Sequence, residues 1–316
     1  MRIGKVLPLC ARVLVTALIF WLILRSVEPS AILAAFSRIQ WPFLAAAVAL
    51  AATQLSLAVE RWRAVAATFD HDITRRQAYA YKFIALLVNK GLPTGVGGDA
   101  YRTWSLHRDG LSIAHAARII VTERLCAFAS LLIVIGLGLP LLAGMPGEAV
   151  FKYVAPAVFV VGVLGLAGLM MFGRIKKFLP DFRVFSAAGQ ASRDLNRALF
   201  GSSGSFQILL WSLSVQFCRL TILLVLALGL GLQIPAADLF AIAPASFLIA
   251  MAPITVGGWG LREAVFINSL SLAGVASSDA LALSILFGLV WLFMSLMGGL
   301  IWIVERNFVE APPKQT

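Results

Sequence analysis

One ten-residue pattern occurs twice in this chain: Pro93-x-x-Val96-Gly97-Gly98-x-x-x-Arg102 and, at a constant offset of 160 residues, Pro253-x-x-Val256-Gly257-Gly258-x-x-x-Arg262. Five shared residue types at one offset make the two segments copies of a single element, so the fold has to accommodate two related halves. Each copy has its own local logic. Proline ends an incoming helix, the paired glycines admit a tight turn with positive φ, and a new helix then begins whose first N–H groups face the turn. An arginine four residues past the second glycine stands about one turn into that helix, where it and the helix dipole act together on an anion such as a phosphate. The alternative is that the prolines and glycines only shape the turn while Arg102 and Arg262 reach outward to lipid headgroups.

The surroundings of both copies are apolar. The chain of 316 residues is 60% hydrophobic and 13% charged, with a mean hydropathy of +0.91, whereas soluble domains carry about a quarter charged residues. Composition therefore excludes a secreted disulfide scaffold, a disordered chain and a conventional soluble enzyme. A formal charge of +11 would suggest nucleic acid in a soluble protein. Here the basic residues fall between apolar runs and act as topology signals, so no nucleic-acid partner is expected. Cys10, Cys126 and Cys218 each lie inside an apolar stretch without metal-ligand spacing and read as small packing residues.

Six apolar runs are long enough to cross a bilayer: 6–27, 42–59, 113–142, 153–172, 206–232 and 280–304. Trp41 and Trp62 flank the second as interfacial residues. The basic connector 60–82, with Arg61, Arg63, Arg75, Arg76 and Lys82, and the basic loop 173–205 both read as cytoplasmic, which puts both termini inside, in the plasma (inner) membrane. The two broken segments, 83–99 and 239–256, are too short or too interrupted by proline for an ordinary crossing, the second by Pro244 and Pro253. They are expected as re-entrant hairpins spanning 80–110 and 237–273. Three crossings separate them, so the hairpins enter from opposite faces.

The expected fold is an all-α polytopic membrane protein forming a single membrane domain over 1–316. It has about six full transmembrane helices plus two broken-helix re-entrant hairpins, related as an inverted repeat of about 42–142 and 206–304. A full crossing by 239–256 would remove the inversion.

Arg118, Glu123, Arg124 and Arg219 stand at apparent membrane depth, where an ionisable residue costs about 2.5–3.5 kcal/mol even on insertion scales, so they should face a polar cavity or one another. Glu123 and Glu263 are candidates to neutralise Arg102, Arg124, Arg219 or Arg262 when no anion is bound. A shift of register would instead put Glu123 and Arg124 at the cytoplasmic interface. Asp99 follows Gly98 in the position of an N-cap, and its counterpart in the second copy is Trp259. The candidate substrate-binding residues are thus Arg102, Arg262, Glu123, Arg124, Arg219, Glu263 and Asp99, with Pro93, Gly97, Gly98, Pro253, Gly257 and Gly258 forming the hairpin turns. No catalytic, metal or cofactor site is expected. His71, His107 and His115 lie in or near connectors without carboxylates at ligand spacing, no G-x-x-x-x-G-K-[ST] loop is present, and Gly201-Ser202-Ser203-Gly204-Ser205 is not G-x-S-x-G.

Glu60-Arg61-Trp62-Arg63, the segment from Leu92 through Arg102, the Glu123-Arg124 pair and the segment from Pro253 through Glu263 together make the sequence similar to the lysylphosphatidylglycerol synthase transmembrane family, also called the flippase-like integral membrane family. The resemblance runs from the first span to about residue 304. It implies a module that moves phospholipid-type or polyprenyl-type headgroups between leaflets. Bifunctional members carry a soluble aminoacyl-transferase domain, and only 12 residues follow Val304 here, so the resemblance does not bring the synthase activity with it. The expectation is a transporter of a lipid with an anionic or phosphate-bearing headgroup, working beside a separate lipid-synthesising enzyme. The alternatives are a carrier of small soluble anions, which uses the same arginines, and an intramembrane lipid-modifying enzyme, for which no nucleophile, base or metal cluster can be assembled.

Overall fold

Backbone N–H and C=O groups in hydrocarbon have to be paired within the chain, so apolar runs of this length can only form helices or a closed barrel. The computed structural model describes residues 29–91, 96–145, 150–175, 182–201, 203–251 and 260–309, together with Leu18 and Trp21. Among these residues there are helices and no strand. In chain order they are α1 (Pro29–Ser37), α2 (Trp41–Ala67), α3 (Arg75–Gly91), α4 (Gly97–Arg108), α5 (Ile113–Gly144), α6 (Val150–Ile175), α7 (Arg183–Phe200), α8 (Ser205–Gly229), α9 (Ala236–Ala250), α10 (Leu261–Leu270) and α11 (Ser277–Val309).

Five of them, α2, α5, α6, α8 and α11, are long and apolar enough to cross a membrane. The expected first crossing, 6–27, lies outside the described residues except for Leu18 and Trp21. The helices of the two expected hairpins, α3, α4, α9 and α10, are shorter. α9, at 15 residues, is about 22 Å long against a hydrocarbon core of ~30 Å.

Several local expectations are corrected. The basic connector 60–82 shrinks to a short link, because α2 runs on to Ala67 and α3 starts at Arg75. Trp62, expected at the interface, is fully buried, whereas Trp41 is exposed. The basic loop 173–205 is largely the amphipathic helix α7. It buries Ser192, Leu195 and Ala198 and leaves Arg193 and Arg197 exposed, and Asp194 takes a two-pronged ion pair from Arg118 of α5 at 2.7 and 2.8 Å. Pro244 sits inside α9 instead of breaking it, as packed neighbours allow in membrane helices. Gly97 and Gly98 open helix α4 and do not supply positive φ, which among described glycines belongs to Gly110, Gly231, Gly260 and Gly274. Pro93, Pro253, Gly257 and Gly258 lie outside the described residues.

Packing follows a repeating pattern. α2 lies along α8, with Ala47, Ala51 and Leu55 in one core with Ile222, Leu223 and Leu226. Small residues let membrane helices approach closely. α3 pairs with α4 and α9 with α10; α4 rests on α5 and α10 on α11. Each half also reaches into the other, since α3 runs along α11 and α9 along α5. Two glycines 160 residues apart make those cross-contacts close. A Cβ at Gly138 of α5 would meet the backbone of α9 at 3.0 Å from the Phe240 carbonyl oxygen, and one at Gly298 of α11 would strike the Phe83 carbonyl of α3, 2.7 Å from its carbon.

Candidate functional site

Residues three, four or seven positions apart share one side of a helix, so polar residues at those spacings in an apolar helix can face inward together. On α2 that stripe is Gln54, Ala58 and Arg61; on α3 it is Lys82, Ala85, Leu86 and Asn89; on α5 it runs from Glu123 and Arg124 through Ala127 to Leu131. With Asp99 and Arg102 of α4, Val215, Gln216 and Arg219 of α8, Phe247 of α9, Arg262 of α10, and Phe287 and Trp291 of α11, these stripes line one cavity of about 480 Å³. Both halves of the chain contribute.

Glu123 is the hub of its charged wall. It is 2% exposed and accepts from Arg61 Nη2 at 2.7 Å, Lys82 Nζ at 2.9 Å and Arg102 Nη1 at 2.8 Å. Arg102, 5% exposed, also gives Nη2 to Asp99 Oδ1 at 2.6 Å. The second oxygen of Asp99 takes Arg124. Asp99 is therefore no N-cap. It is the third residue of α4, whose cap is Val96, and its carboxylate bridges two arginines. Beneath this group lies Trp62, whose ring centre is 5.6 Å from Lys82 Nζ and 5.0 Å from Arg102 Cζ, within cation–π range.

The opposite wall is sparser. Arg262 donates Nη2 to Glu263 Oε1 at 2.5 Å and Nε to Ser284 Oγ at 3.2 Å. Glu263, fully buried, turns its other oxygen back to the N–H of Gly260 at 2.6 Å and so closes the start of α10; Gly260 has φ +83°, a conformation that suits glycine. Arg219 has no carboxylate partner among the described residues. Its guanidinium carbon lies 5.3 Å from the Phe247 ring centre.

The cavity thus gathers Arg102, Arg262, Glu123, Arg124, Arg219 and Asp99, while Glu263 holds Arg262 from behind. Glu123 neutralises Arg102 as expected, but not Arg124, Arg219 or Arg262. Arg118 belongs to the α7 contact instead. Sequence reasoning missed Arg61 and Lys82, which it assigned to a connector, and Gln54, Asn89 and Gln216, which it did not single out. Their signal was present as helical spacing, with Gln54 and Arg61, like Lys82 and Asn89, two turns apart and Gln216 one turn from Arg219.

The family described as Lysylphosphatidylglycerol synthase TM region matches residues 9–299. The chain belongs to this family. It is an integral membrane protein of a lysylphosphatidylglycerol synthase transmembrane type, a membrane domain associated with lipid handling. A comparison with curated proteins finds no match. Within the family segment lie all the charged residues that line the cavity, from Arg61 to Arg262.

Proposed function

We propose that this protein moves a lipid with an anionic, phosphate-bearing headgroup between the leaflets of the plasma (inner) membrane, with both termini cytoplasmic, and that it does so as a transporter without catalysis of its own. The observation that carries the reading is the cavity itself: a basic chamber formed where membrane-crossing helices meet the shorter helices α3, α4, α9 and α10, its walls holding Arg61, Lys82, Arg102, Arg124, Arg219 and Arg262. Cations at that depth are costly unless an anion completes them. A headgroup would sit among the arginines while its chains stay in lipid.

The two hairpins, α3–α4 and α9–α10, are read as entering from opposite faces, as three crossings, α5, α6 and α8, separate them. Support comes from the exchange in packing, with α3 on α11 and α9 on α5, and from Gly138 and Gly298 standing at matching contacts. Alternating access then amounts to rocking one half against the other around the shared cavity. A lipid-synthesising enzyme would supply the cargo as a separate partner.

The test is leaflet translocation of fluorescent anionic phospholipids in proteoliposomes, comparing wild type with Arg219→Met. This substitution leaves no carboxylate orphaned, so the variant is expected to fold. Loss of one charge-assisted contact of about 1.5–3 kcal/mol should slow transport about tenfold or more. An absence of lipid movement by wild type, or wild-type rates in Arg219→Met, would count against the proposal.

A further inference from the structure

Resting on that reading, we propose that the headgroup carries at least two negative charges on phosphate, as a phosphomonoester or a diphosphate, with no cationic group beside them. The charges lining the cavity do not balance. Among the described residues, six basic side chains line the cavity, against the carboxylates of Asp99 and Glu123 on its wall and Glu263 behind Arg262. Three positive charges are left over. Discharging Lys82 would still leave two.

The excess is not spread evenly. Arg262 is matched by Glu263. The four cations around Glu123 and Asp99 exceed their carboxylates by two, and Arg219 adds one from α8. The segments outside the described residues that flank the hairpin turns, 92–95 and 252–259, contain no acidic residue that would alter this balance.

Unmet hydrogen-bonding capacity points to the same place. Arg61 Nε and Gln54 Oε1, on residues 7% and 4% exposed, have no partner, and both residues line the cavity. Arg61 Nε is a donor, and a buried donor left in that state costs about 1–3 kcal/mol, so a phosphate oxygen that reaches it gains by binding, whereas Gln54 Oε1 is an acceptor and calls for a hydroxyl elsewhere on the headgroup. A guanidinium fork donates to two phosphate oxygens at once. A phosphodiester headgroup offers one negative charge and leaves the chamber cationic. A phosphomonoester brings about −1.5 to −2 at neutral pH, and a diphosphate at least as much. A headgroup bearing an amine, or a net positive lipid, would add to the excess instead of offsetting it.

Selectivity is measured on the purified full chain in detergent, by ligand-dependent shifts in melting temperature over a titration. The probes are phosphatidic acid and phosphatidylglycerol with identical acyl chains, farnesyl diphosphate, and inorganic pyrophosphate. The expected result is that phosphatidic acid and farnesyl diphosphate bind about tenfold or more tightly than phosphatidylglycerol, and that the gap narrows in Arg219→Met and persists in Arg219→Lys. Equal affinity for phosphatidic acid and phosphatidylglycerol would overturn the charge inference and leave the anionic-lipid reading standing. Pyrophosphate binding as tightly as farnesyl diphosphate, with neither phospholipid bound, would overturn the lipid reading itself.

Discussion

Glu123→Gln is expected to remove most of the folded protein from the membrane, a larger effect than the loss of any single arginine. Glu123 holds Arg61, Lys82 and Arg102 at once; Glu123, Arg61 and Arg102 are buried and Lys82 is part-buried, its side chain 11% exposed. Glutamine keeps the shape but withdraws the charge, leaving three cations facing one another around a neutral amide. Breaking a buried ion pair from one side costs about 3–5 kcal/mol, since the surviving charge stays desolvated. Three survivors make this a lower bound for the site. The cause can be separated from general damage by pairing the change with Lys82→Met, which removes one of the stranded charges. The double variant should recover part of the lost folded yield and melting temperature. If the two substitutions instead destabilise additively, Glu123 does not act as the shared counter-ion.

The second large effect is expected at Gly98. A Cβ there would collide with the Ala85 carbonyl oxygen and fall 2.6 Å from Asn89 Nδ2, and the Gly98 N–H already donates to Asn89 Oδ1 at 2.7 Å. Both neighbours belong to α3, so Gly98→Val has to pry α4 off its hairpin partner. Overpacking of this kind costs about 1–3 kcal/mol. Arg102 and Asp99 ride on α4 and would move with it, and a shift of about 1 Å at a positioned group is enough to lower activity about a hundredfold. Melting temperature and translocation rate should therefore fall together. Gly165→Ala on α6, where an added Cβ meets nothing within 4 Å, is the matched substitution expected to leave both unchanged.

Much of this architecture is legible in the sequence. The five helices long and apolar enough to cross, near 42, 113, 153, 206 and 280, follow from apolar length alone, and the duplicated Pro-x-x-Val-Gly-Gly-x-x-x-Arg pattern marks the starts of α4 and α10. Arg102, Arg262, Glu123, Arg124 and Arg219 were visible as charges set within or beside apolar runs, and all five line the cavity, Arg124 with its side chain 46% exposed.

What escaped detection shares a physical cause. Arg61 and Lys82 lie near other basic residues, so charge counting placed them in a connector; only the continuation of α2 to Ala67 and the packing of α3, which carries Lys82, bring them together on Glu123. Trp62 looked interfacial for the same reason. Asp99 stood where an N-cap belongs, and its true role depends on Arg124, a neighbour 25 positions away that no local pattern reveals. The value of Gly98 lies in a close approach between helices and not in backbone conformation, a distinction that sequence does not draw. The amphipathic helix α7 was taken for a loop because basic residues dominate its exposed face.

The central claim is that one cavity serves both leaflets, and the most direct measurement is chemical access to its wall. With Cys10, Cys126 and Cys218 replaced by alanine, Ala127→Cys places a single thiol on α5 inside the chamber, one turn beyond Glu123 and Arg124. The account predicts that a membrane-impermeant thiol reagent modifies it from either side of oriented vesicles, and that phosphatidic acid slows both reactions. Modification from one side only, whatever the lipid, would contradict it.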